Sequence, residues 1–167
     1  MYEVLDISRY IINKSISDKT PISNLKLQKL LFYVQAYFLV ETGSQLFSES
    51  LVSWKYGPVV IEAYDEFKSF GALEIVDPIE EYTEFEFSDD SFKLNIKTER
   101  FNENIIENNI KECINEVVES YESYNAIQIM RKTHQEDPWL NTENGSEIDL
   151  NFVKSYFNER KERILGA

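Results

Sequence analysis

Residues 23–42 constrain the fold more than any other stretch, because their apolar side chains do not form a stripe. Leu25, Leu27, Leu30, Leu31, Phe32, Val34, Ala36, Phe38, Leu39 and Val40 go nearly all the way round a helix. A helix apolar on every side must be buried on every side, so the spacing predicts a central element with the rest of the chain packed around it. Ser23 or Asn24 stands where a side chain caps the first turn, and Gly43 where a left-handed residue ends the last. The 167 residues read as one domain, 1–167, long enough to bury about 70% of the unfolded surface without disulfides or metal. With 43% hydrophobic residues, 2 Trp, 10 Tyr and 11 Phe, a disordered or coiled-coil class is excluded.

Around that helix the pattern predicts a mainly α-helical α+β domain with a small β element. Val4, Ile7, Ile11 and Ile12 place a first helix over 3–16. Leu46 to Trp54 reads as one or two short strands. Trp54-Lys55-Tyr56-Gly57-Pro58-Val59-Val60 reads as an extended segment ending in a tight turn, with Pro58 launching a helix that runs to Phe70. Phe85 and Phe87, then Phe92, Leu94 and Ile96, alternate along the chain. A turn centred on Asp89-Asp90 sets Phe87 against Phe92, Glu86 against Lys93 and Phe85 against Leu94, as an antiparallel hairpin wants; a solvated loop is the other reading. Asn102 or Asn104 is placed to cap a long helix carrying Ile105, Ile106, Ile110, Ile114, Val117, Val118 and Tyr121 on one face. A further helix over 125–133 carries Ile127 and Met130, and the chain breaks at Asp137-Pro138. Asp149 caps the last helix, which turns Leu150, Val153 and Phe157 inward.

The net charge of −13 is unevenly spread: residues 1–75 hold 9 acids and 7 bases, and residues 76–167 hold 21 acids and 10 bases. No cluster of Lys and Arg of the kind a phosphate backbone requires is present, so direct nucleic-acid binding is not expected. The acidic part attracts a basic protein partner, or serves only solubility. No apolar run approaches the ~18 residues of a membrane span, and no basic stretch with an apolar core opens the chain. Cys113 stands alone, without a disulfide partner, which fits a cytoplasmic protein.

Catalytic chemistry finds little to work with. One His and one Cys leave a zinc site dependent on carboxylates, and no Gly-rich phosphate loop or nucleophile elbow occurs. The expectation is no enzyme, no cofactor and no metal. His134 is either a partner-binding or pH-sensitive group, or a structural tie between a helix end and a loop. Trp54 and Trp139 are either semi-buried anchors or exposed interface residues. Gln28 either joins Lys29 in a polar recognition face or is satisfied internally by a loop backbone such as Tyr56-Gly57.

Three motifs carry a likeness to a known family. Leu25-Lys26-Leu27-Gln28-Lys29-Leu30-Leu31-Phe32-Tyr33, then Trp54-Lys55-Tyr56-Gly57-Pro58-Val59, then Thr133-His134 with Pro138-Trp139, stand in order. In these the chain resembles the Panacea antitoxin domain, the SocA-like family also known as phage-associated GepA proteins. The resemblance implies an antitoxin that neutralises a toxin or host factor by direct binding. Alternatives are a phage anti-defence inhibitor with an acidic surface and a proteolytic adaptor. Leu27, Gln28, Lys29, Tyr33, Trp54, Tyr56, Gly57, Pro58, Thr133, His134 and Pro138 then read mainly as scaffold. The hairpin at 83–97 departs from the family pattern, as a partner-specific insertion would. Partner contact is therefore expected in the acidic hairpin region, at Glu84, Glu86, Asp89 and Asp90, joined by Asp137 and Trp139.

Overall fold

A computed structural model describes residues 1–88 and 93–166, with backbone alone for residues 86–88 and 93. Helix α1 spans Val4–Ser17 and is followed by the short strand β1, Ile22–Ser23. Helix α2, Asn24–Glu41, starts where the Ser23 side chain accepts a hydrogen bond from the Lys26 amide. Fourteen of its eighteen residues are buried, as an all-round apolar helix demands. It packs against α1 and against several of the elements that follow.

Strands β2, Leu51–Trp54, and β3, Gly57–Val60, form a tight antiparallel hairpin in which Ser53 faces Pro58. Pro58 therefore lies in a strand, and helix α3 begins three residues later, at Ile61–Phe67. Two contacts explain the delay. Ser53 directs its N–H to Ser146 and accepts from Gly145, so the missing N–H of Pro58 leaves no ladder bond unmade. The Val60 amide is taken by the Gln28 side chain, which holds the strand extended to its last residue.

Strand β4, Glu74–Ile75, pairs with β1, and β5, Glu81–Ser88, pairs with β6, Lys93–Arg100. The predicted hairpin forms, with its register moved by two residues: Phe85 faces Ile96, and Phe87 faces Leu94. A shift of two preserves the alternation of the two strands, which is why alternation alone does not resolve it. Asp89, Asp90 and Phe92 of the expected turn lie outside the described residues. At the hairpin base the Arg9 guanidinium sits 3.6 Å from the Tyr82 ring centroid. Nearby, Asn13 bonds both the N–H and the C=O of Ile79.

Asn102 caps only a single 3₁₀ turn, and helix α4 starts at Asn108, running to Ser120. The chain is extended at Ile106, which drives that side chain inward and leaves Ile105 exposed, so the long helix expected here is cut short. Helix α5, Ala126–Thr133, carries a full capping box between Asn125 and Gln128. It buries Ile129 and Thr133, with Ile127 turned outward. Asp137-Pro138 opens a one-turn helix, α6 (Asp137–Leu140), because a proline in the first turn has no N–H to miss. Helix α7, Leu150–Asn158, is capped by Asp149 and buries Val153, Tyr156 and Phe157. The architecture is mainly α-helical α+β, with α1, α4, α5, α7 and the β2–β3 hairpin arranged round α2. No helix among the described residues is long and apolar enough to cross a membrane.

Candidate functional site

The three sequence motifs meet around Gly57. Gln28 donates from Nε2 to Asn24 Oδ1 at 2.9 Å and accepts the Val60 amide at 2.9 Å, while Asn24 reaches the Tyr64 carbonyl. The internal reading of Gln28 holds, with Val60 as its backbone partner rather than Tyr56-Gly57. Gln35 does the same about two turns further along that face, bridging the Leu46 amide and the Phe47 carbonyl. Lys29 is fully buried, and its ammonium donates to the Pro58 carbonyl at 2.8 Å. Burial lowers its pKa to about 7, because the charged form loses its hydration there. Gly57 has φ +100°, and a Cβ there would meet Thr133 Oγ1 at 2.8 Å and Lys29 Nζ at 2.9 Å. Both the turn and the close approach require glycine.

Trp54, Trp139 and His134 extend the same cluster. The Trp139 indole N–H donates to the Trp54 carbonyl at 3.0 Å. The His134 ring stacks on Trp139 at 4.1 Å between centroids, nearly parallel at 5°. The His134 amide closes the end of α5 on the Met130 carbonyl, and its ring packs that helix end against α6 through Trp139. Burial, and then the nearby Lys29, push its pKa below the usual histidine value.

A buried carboxylate went unnoticed in the sequence. Glu136 is 0% exposed and accepts from Tyr33 at 2.9 Å, Tyr156 at 3.0 Å, Arg163 Nε at 2.8 Å and Lys132 at 3.4 Å. It joins α2, α5, α7 and the C-terminal turn. Its one local signal was Lys132 four residues earlier, the spacing of a helical ion pair, and acids are too frequent here for that to stand out.

Beside Gly57 lies a cavity of about 590 Å³. Leu25, Val59, Trp54, Tyr56 and Tyr64 form its apolar and aromatic walls, with Asn24, Gln28 and Lys29 below and Lys55 and Lys68 at its rim. Trp54 and Tyr64 meet edge to face at 4.9 Å. Tyr56 is 59% exposed.

The residues expected to contact a partner fall in two tertiary environments. Glu84 is exposed on β5, Glu86 follows on the same strand, and Asp89 and Asp90 lie outside the described residues. Asp137 is exposed in the first turn of α6, and Trp139 is half-buried against His134 and Trp54. On the hairpin, Phe85, Leu94 and Ile96 are 61%, 46% and 65% exposed. Among the described residues no three His, Cys, Asp or Glu side chains converge as a metal cradle.

Residues 27–140 match a family model described as antitoxin SocA-like, Panacea domain. Over 70 residues the chain is 36% identical to the antitoxin SocA of Caulobacter vibrioides (strain NA1000 / CB15N), a stretch covering 42% of this chain and 37% of that protein. The alignment thus spans little more than a third of that relative's length. No solved structure matches the chain.

Proposed function

The chain belongs to the antitoxin SocA-like Panacea domain family, and from that premise we propose that it neutralises a protein toxin by binding it directly, without catalysis. One observation supports a protein-binding surface: the β5–β6 hairpin turns Phe85, Leu94 and Ile96 to solvent on one face. Large apolar side chains grouped in the open are the usual material of an interface rather than of a free surface. The acids of the same region, Glu84, Glu86, Asp89 and Asp90, steer a basic toxin onto it, and Asp137 with Trp139 provides a further contact. The motif residues round Gly57 hold the scaffold.

Co-expression with the product of an adjacent small reading frame tests the function. Rescue of growth is the expected result, and unrelieved toxicity with both proteins present overturns it. A second measurement tests the surface. Replacing Glu84, Glu86, Asp89 and Asp90 by Ser weakens toxin binding and flattens its salt dependence, with thermal stability nearly unchanged. The same affinity and salt slope in that variant would reduce the acids to a solvated face.

A further inference from the structure

The cavity beside Gly57 is electrically out of character with the chain. In a protein of 30 acids and 17 bases, no Asp or Glu among the described residues lines it, whereas Lys29, Lys55 and Lys68 all do. Lys68 is satisfied by Asp65 at 2.8 Å. Lys55 has no carboxylate partner among the described residues, its ammonium lying 5.6 Å from the Tyr56 ring centroid. Lys29 has three N–H donors, and its one hydrogen bond goes to Pro58, so a buried ammonium beneath the cavity has donors to spare. Leu25, Val59, Trp54, Tyr56 and Tyr64 supply apolar and aromatic walls, Asn24, Gln28 and Asn144 neutral amides, and the volume is that of an ordinary small-ligand pocket.

We propose that this cavity binds an apolar group carrying a carboxylate. The apolar part packs against Leu25, Trp54 and Val59, and the carboxylate faces Lys55 above the buried Lys29. Neither feature alone selects this ligand. A bare inorganic anion would leave the aromatic wall in water, and a neutral apolar group would leave Lys29 and Lys55 without an anion. The ligand comes either from the C-terminal residue of a peptide or from a free aryl-alkanoic acid, which share this chemistry. The inference goes beyond toxin binding by the hairpin and does not rest on it.

Titration of the ¹⁵N-labelled full chain tests it with three probes: N-acetyl-Leu-Phe with a free carboxylate, the same dipeptide amidated, and 3-phenylpropionate. The expected result is movement of the Leu25, Tyr56 and Trp54 resonances, with the free acid bound about fivefold more tightly than the amide, the scale of one ammonium–carboxylate pair near a surface. Lys55→Gln, at an exposed position, brings acid and amide to the same affinity. Leu25→Glu, its fold checked by circular dichroism, weakens the acid more than the amide. Equal binding of phenylpropionate and dipeptide acid identifies a free acid as the source, and binding of the dipeptide alone identifies a chain terminus. Equal affinities of acid and amide for the unaltered chain overturn the proposal. So do shifts confined to other surfaces, or no shift with any probe at millimolar concentration.

Discussion

At the scale of single residues, the polar groups sealed inside the fold decide most. Lys29 is the clearest case. Its folded pKa of about 7 lies below the ordinary lysine value of 10.5, so between these the unfolded chain binds the extra proton. Stability therefore rises with pH across that window, and the burial penalty is fully present below it. Lys29→Met removes this dependence: urea midpoints at about pH 6 and about pH 9 draw closer together than in the unaltered chain. Glu136 is a second buried polar group. It is a buried carboxylate with four donors, and Glu136→Leu strands Tyr33, Tyr156 and the Arg163 guanidinium together. The expected loss is roughly 3–5 kcal/mol, read from the same denaturation curves. A loss below about 1 kcal/mol would mean that water replaces the carboxylate there.

Among elements, α2 and the β5–β6 hairpin sit at opposite ends of the scale of burial. Leu31 is 0% exposed on α2, with neighbours on every side. Leu31→Ala opens a cavity there and costs roughly 2–5 kcal/mol, visible as a lowered denaturation midpoint. An unchanged midpoint would deny α2 its central place. The hairpin is held mainly at its base, through Arg9 on Tyr82 and Asn13 on Ile79, while its apolar face looks outward. The short hairpin of β2 and β3 is different again. Its Pro58 carbonyl, its Ser53 backbone and its Val60 amide are each bonded by another part of the chain, so Lys29, Ser146 with Gly145, and Gln28 fasten it in addition to its own ladder.

Across the whole molecule these differences predict a graded native state. Hydrogen exchange is expected to be slowest through α2 and fastest along β5 and β6, where opening exposes little buried apolar surface. Uniform protection of both would show that the hairpin is docked more firmly than its contacts indicate. The sequence by itself determined the helical class, the central helix with a cap at Ser23 or Asn24, the cap at Asp149, and the alternation that makes the hairpin. Each of these is written in local periodicity or in a side chain that bonds its own neighbourhood. Only the tertiary structure decided that Pro58 lies in a strand, since the partners that permit it, Ser146, Gly145 and Gln28, are remote in sequence. It also decided that Phe85 and Ile96 face water, because alternation separates two faces without saying which one is covered. The meeting of Lys29, Gly57 and Thr133, and the four donors on Glu136, were invisible for the same reason: long-range packing sets them, and no local pattern records it.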